Sequence, residues 1–229
     1  MSRPAVFFDR DNTLIVGNEY LGDPAGVVLV RGAADAVAAC HDLGFAVVTV
    51  SNQSGVARGM FSEHDVSLVN ARMEEMLQSD NSKATIDRHE YCPHHPQGTT
   101  AGYAFDCDCR KPKPGMILRA AGAMDIDLAA SWLVGDAPRD VAAGKTAGCR
   151  TILIVDPTLP ASPAASAASD ITADFVVTSL PEAVEIIQKE SKPTAAQHEM
   201  PAAPALATEP TTRPVFETPK TGRQGNRSR

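Results

Sequence analysis

No run of about 18 consecutive apolar residues, the length a membrane-crossing helix needs, occurs anywhere in these 229 residues. A basic segment followed by an apolar one is missing from the start, Met1-Ser-Arg-Pro-Ala-Val, so the expectation is a cytoplasmic protein without a standard export signal. Excess positive charge is absent as well. A formal charge of −7 argues against unspecific nucleic-acid or anionic-membrane partners, and any anion must be met by locally placed cations. Cysteine is scarce and odd in number, five in all, which does not suggest a disulfide framework in a reducing compartment. What is present is ample apolar material: at 43% hydrophobic residues the chain can build one sizeable domain, burying roughly 70% of the unfolded surface.

Ala5-Val-Phe-Phe8 is a strand-forming run that stops at two carboxylates, Asp9 and Asp11. In an extended segment residues two apart share a side, so the spacing predicts both acids entering one cleft, where like charges need a cation between them. An isolated Asp-x-Asp is also readily a polar strand end with Asp11 or Asn12 in a turn. Further along, Phe45 to Val50 and Ser131 to Gly135 are buried-strand runs, ending at Ser51-Asn-Gln53 and at Asp136. Helices are predicted over Gly32–Leu43 with Gly44 behind, from Ser62 (a capping box with Asp65) to about Gln78, from Pro114 in the N1 position to about Met124, and over Pro138–Ala147. Strands over 85–91, 150–155 and 174–177, a flap over 15–31, a surface loop over 156–172 and a helix over 179–190 complete the pattern. Alternating strands and helices signify βαβ units in a parallel sheet with helices on both faces, and ligands then bind off the carboxyl ends of the strands. The last 39 residues, 191–229, hold six prolines and one aromatic, and are predicted to be a disordered tail outside a catalytic unit at 1–190.

Cys92-Pro-His94 followed by Cys107-Asp-Cys109 offers three thiolates and an imidazole, the closed tetrahedral set of a structural Zn²⁺ site. The alternatives are a disulfide or inert core cysteines. Gly144-Lys-Thr146 is no phosphate loop, since the glycine required five residues earlier is Arg139.

Taken in order, Asp9-x-Asp11-x-Thr-Leu14, Ser51, Lys111 and Gly135-Asp136-x3-Asp140 resemble the four motifs of the haloacid dehalogenase superfamily. That resemblance implies Mg²⁺-assisted phosphomonoester hydrolysis through an aspartyl-phosphate. Asp9 would be the nucleophile, and Asp11 the general acid and then base. Asp9, the Asp11 carbonyl and Asp136 would hold Mg²⁺, with Asp140 in support. Lys111 would stabilise the transferring phosphoryl group, helped by the Ser51 hydroxyl and the Asn52 N–H. The Cys/His segment is similar to the zinc loop of one branch, the histidinol-phosphate and D-glycero-D-manno-heptose 1,7-bisphosphate phosphatases. In that branch a zinc-binding loop stands in for a large cap on a Rossmann-like, three-layer sandwich with a central parallel sheet. Twelve residues between His94 and Cys107, with Ser51-Asn-Gln-Ser-Gly-Val-Ala-Arg-Gly59, favour the heptose side, histidinol phosphate or another sugar bisphosphate being the nearest alternatives. Asn52, Gln53 and Arg110 would contact substrate, Arg110 taking the retained C1 phosphate. The implied partner is a small phosphorylated sugar in nucleotide-activated heptose biosynthesis, handled by a monomer. A zinc-stabilised binding protein is the non-enzymatic alternative. Two departures stand out: Asn12 where relatives usually carry glycine, and Ala137 where some carry a substrate-contacting lysine.

Overall fold

The computed structural model of the protein describes residues 2–17, 20–158 and 172–191. Six strands, β1 (Ala5–Phe8), β2 (Ala46–Asn52), β3 (Arg88–Cys92), β4 (Trp132–Gly135), β5 (Arg150–Ile154) and β6 (Phe175–Val177), form one sheet in the order β3-β2-β1-β4-β5-β6. Every pairing is parallel. Strands joined by helices cannot pair otherwise without long returns, and the order is that of a Rossmann-like fold.

Strand alternation assigns the core. Val6 and Phe8 face one side and pack with α1 (Ala33–Asp42), α2 (Glu63–Asp80) and α5 (Leu180–Glu190). Ala5 and Phe7 face the other and pack with α3 (Gly115–Met124) and α4 (Pro138–Ala147). Phe7 and Phe8 are both fully buried, so truncating either costs about 3–5 kcal/mol. The edge strands differ. β3, Arg-His-Glu-Tyr-Cys, has no apolar run because only part of it is covered, and β6 exposes Val176.

Local signals act where the residues allow. Ser62 caps α2 by accepting from the Asp65 N–H, and Asp65 reciprocates on the Ser62 N–H. Gly44 sits at φ 87° behind α1, a conformation only glycine adopts without cost. Pro114 is the N-cap of α3, one position earlier than the first-turn proline preference predicts. β2 runs on through Ser51 and Asn52, which the sequence places in a loop, because both pair with Tyr91 and Cys92 of β3.

The register carries the function. Phe8 lies level with Thr49 and Val134, so β1, β2 and β4 deliver Asp9, Ser51 and Asp136 to one edge. That edge is where the chain order reverses, between β1 and β4, and an open crevice forms there. Residues 93–114 cross this edge as a loop, with no separate cap domain among the described residues. Among the described residues no helix is long and apolar enough to cross a membrane. The expected tail at 191–229 and most of the loop at 156–172 lie outside the described residues.

Candidate active site

Asp9, Asp136 and Asp140 bring carboxylate oxygens within 4.8 Å of one another. Asp9 leaves β1 directly, and Asp136 follows β4. Asp140 stands in the first turn of α4, where its Oδ2 accepts from the Ala137 N–H at 3.0 Å. Close packing fixes this corner: a Cβ on Gly135 would meet the Asp140 Cβ at 2.6 Å and its Oδ2 at 2.8 Å.

Lys111 answers the charge. The residue is 2% exposed, and its ammonium contacts Asp9 Oδ1 at 2.8 Å and Asp140 Oδ1 at 2.7 Å and donates to the Val50 carbonyl at 2.7 Å. Burial alone would lower its proton affinity, but the Asp140 and Asp9 carboxylates outweigh that and hold it above the usual lysine range. Asn52 fixes the lysine from behind, its side-chain amide donating to the Lys111 carbonyl and accepting from the Lys111 N–H, both at 3.0 Å.

One buried cation does not neutralise three acids. Burial, then repulsion from Asp140, pushes Asp9 above the usual carboxylate range against Lys111 and Arg139. Asp136 is pushed to about 8, by burial first and by Asp9 and Asp140 next. Its Oδ1 is buried without a hydrogen-bond partner among the described residues. Carboxylates so placed fit a hard divalent cation such as Mg²⁺, which takes one or two carboxylates and leaves room for phosphate oxygens and water.

Asp11 is not a member of that cluster. β1 ends at Phe8, and Asn12 adopts φ 60°, so the strict alternation that would align the two acids stops short. Asparagine tolerates this left-handed conformation, and its Oδ1 accepts from the Gly17 N–H at 2.8 Å. The Asp11 carboxylate instead receives Gln53 Nε2 at 2.8 Å and the Arg10 guanidinium at 3.0–3.3 Å. Gln53 also donates to the Ser51 hydroxyl at 3.1 Å, so its amide serves protein groups rather than open cleft.

The Cys/His segment closes as a unit. Sγ of Cys92, Cys107 and Cys109 and Nδ1 of His94 lie 3.2–3.7 Å apart in sequence around the group. Zn²⁺ with bonds of about 2.0–2.3 Å spans a tetrahedron whose edges are roughly 3.5–3.8 Å. The donors fit that ion with no vertex left for water, and all five cysteines are free of disulfides.

Three guanidiniums gather at the mouth. Arg110, half-buried behind the cysteines, donates weakly to the His94 carbonyl at 3.5 Å. Burial, then Arg139 and Arg58, lower its proton affinity against the pull of Cys92 and Cys107. Arg58 lies 5.7 Å over the Tyr20 ring, and its Nε is buried with no hydrogen-bond partner among the described residues. Arg139, on α4, is held in its charged form by Asp140, Asp9, Asp136 and Asp11, which outweigh its burial. A cavity of about 460 Å³ beside Arg110 is lined by His95, Asp106, Arg110 and Lys113 among others. Lys113 is paired to Asp106 at 2.7 Å at the surface. Sequence reasoning found Arg110 and missed Arg58, Arg139 and Arg10. Arg58 lies within the stretch Ser51–Gly59 and was the one with a usable signal.

A HAD-hydrolase-like family profile matches residues 108–183. Over 192 residues the chain is 39% identical to the D-glycero-beta-D-manno-heptose-1,7-bisphosphate 7-phosphatase of Escherichia coli (strain K12), covering 84% of this chain and 97% of that one. It is 37% identical over 191 residues to the Yersinia pestis protein of the same name, covering 83% and 98%. The crystal structure of D,D-heptose 1.7-bisphosphate phosphatase from B. bronchiseptica, complexed with magnesium and phosphate, is similar with a TM-score of 0.68 and 28% identity, covering 82% of this chain and 99% of that chain.

Proposed function

Because the chain belongs to the family of the D-glycero-beta-D-manno-heptose-1,7-bisphosphate 7-phosphatases, within the haloacid dehalogenase-like hydrolases, we propose that it removes the C7 phosphate of D-glycero-D-manno-heptose 1,7-bisphosphate through an aspartyl-phosphate on Asp9. The observation that carries the reading is the buried Lys111 ammonium joining Asp9 to Asp140 inside a three-carboxylate cluster.

Lys111 at 2.8 Å and the Arg10 backbone N–H at 2.7 Å both contact Asp9 Oδ1 and hold the carboxylate in place for attack on phosphorus. Mg²⁺ held by Asp9, Asp136 and the Asp11 carbonyl would supply the positive charge that keeps these acids ionised and admits a phosphate dianion. Lys111 remains beside the transferring group, and the Ser51 hydroxyl and Asn52 N–H add donors. Asp11 gives its proton to the departing sugar oxygen, then takes one from the water that releases Asp9. Monoester hydrolysis is among the slowest uncatalysed reactions, so positioned charge must supply most of the acceleration.

The arginines support a substrate with a second phosphate. Arg139 and Arg58 lower the proton affinity of Arg110, an effect that a phosphate beside Arg110 would offset, and guanidinium forks match phosphate oxygens. Zn²⁺ on Cys92, His94, Cys107 and Cys109 would be architectural, fixing Arg110 and Lys111 at the mouth.

The test is a substrate panel with Mg²⁺: heptose 1,7-bisphosphate, other sugar bisphosphates, sugar monophosphates and histidinol phosphate. The bisphosphate should give the highest kcat/KM. Arg110→Ala and Arg58→Ala should lower it roughly 10- to 100-fold, the worth of a charged hydrogen bond, while changing monophosphate turnover little. Asp9→Asn should abolish phosphate release in a folded protein. Preference for histidinol phosphate would reassign the substrate, and normal turnover by Asp9→Asn would remove the mechanism.

A further inference from the structure

Arg10 lies between the two acids of the first motif, yet it is 1% exposed and none of the steps above uses its guanidinium. A fully buried guanidinium is expensive unless every donor is matched, so its partners say why it is there. Nη2 reaches Asp11 Oδ1 at 3.0 Å and Oδ2 at 3.2 Å, and Nε reaches Oδ1 at 3.3 Å. From the far side Nη1 donates to Asn70 Oδ1 at 3.0 Å, and Asn70 is itself buried in the middle of α2. Nearby His89 is held mostly uncharged by burial, against the pull of Glu74, and so adds no second cation beside Arg10. Gln53 completes the set by donating to Asp11 Oδ2 at 2.8 Å.

We infer that Arg10, braced by Asn70 of α2, is a positioning residue that fixes the orientation of the Asp11 carboxylate for proton transfer to and from the substrate oxygen. This rests on the phosphatase reading above. Adjacent side chains on a strand point apart, but the chain leaves extended geometry after Phe8, and the Asp11 carboxylate folds back onto its neighbour's fork. With Arg10 below and Gln53 beside it, both carboxylate oxygens are committed in direction. The helix then matters to chemistry through Asn70, a residue that touches no substrate.

The inference separates from a merely structural role by leaving group. A sugar oxygen must be protonated as it departs, whereas 4-nitrophenolate leaves unaided. In kcat/KM, which reports transfer to Asp9 and not the later hydrolysis, misplacing Asp11 should therefore hurt only the sugar ester. Arg10→Lys keeps the charge and loses the fork; we expect at least a 10-fold fall in kcat/KM for a sugar phosphate and a change within about 2-fold for 4-nitrophenyl phosphate, with KM for the sugar phosphate little altered. Asn70→Ala, which removes only the brace, should show the same selective loss at about 5-fold and carries the test if Arg10→Lys does not fold. Equal losses on both esters in a folded variant, or no loss, would overturn the assignment. Wild-type protein inert to both esters would overturn the phosphatase reading and this assignment together, whereas an active wild type with unselective variants overturns the assignment alone.

Discussion

Asp136→Asn should flatten the pH dependence of stability in protein free of divalent cation. The Asp136 carboxyl is pushed from its ordinary 3.8 to about 8 by burial and by its two acidic neighbours. Between those values the folded protein keeps a proton that the unfolded chain has released. Stability from this group is therefore fully present below the ordinary value and is lost as pH rises through the folded one. At 1.36 kcal/mol per unit, moving from pH 5 to pH 7.5 costs the wild type about 3 kcal/mol. For a domain of this size that is a fall of about 6–12 °C in melting temperature. Asp9, shifted in the same direction, adds a slope of the same sign in both proteins. Asparagine carries no charge at any pH, and it also relieves Asp9 of one repulsion, so the variant's curve should be markedly flatter. The assay is thermal denaturation from pH 5 to pH 8 in magnesium-free buffer, without chelator so that the cysteine site keeps its metal. Adding Mg²⁺ at pH 7.5 should restore the wild type by mass action and leave the variant nearly unmoved. Parallel pH curves, or equal Mg²⁺ responses, would refute the reasoning about the carboxylate cluster.

Three further outcomes follow from the same geometry. Lys111→Met strips the counter-ion from two buried acids, so urea unfolding should show a loss of about 3–5 kcal/mol and turnover should fall by about 10²- to 10³-fold. Asn52→Ala frees the Lys111 backbone from its two 3.0 Å hydrogen bonds; kcat should drop while zinc content holds, measured by steady-state kinetics and elemental analysis. Removing zinc with a strong chelator, or Cys107→Ser, should lower the melting temperature and raise KM for a bisphosphate; a zinc-free preparation with an unchanged melting curve would contradict an architectural metal.

The sheet was legible because burial on both faces writes itself as uninterrupted apolar runs, and each run stops where the crevice begins. Asp9 and Asp136 were readable for that reason alone. Pro138 and the Ser62–Asp65 pair marked helix starts through local chemistry. What stayed hidden was anything that needs two distant segments to meet. Lys111 could be ranked as a candidate cation, but its contact with Asp140 depends on how a loop crosses the strand ends. Arg10 went unread, since no periodicity distinguishes a buried arginine whose partner Asn70 lies 60 positions away. β3 was weak for the opposite reason: an edge strand has little apolar pattern to show.

The crowding at Gly135 has a consequence for how this chain can vary over time. Its place is filled, in effect, by the Asp140 side chain, 2.6–2.8 Å from where a Cβ would stand. Substituting alanine, the smallest possible change, would push Asp140 off the Lys111 ammonium without touching any reacting atom. Position 135 is thus closed to mutational drift although glycine there has no chemistry of its own, and any lineage that recovers a side chain at this point must first give up, or rebuild, the cation that serves the nucleophile.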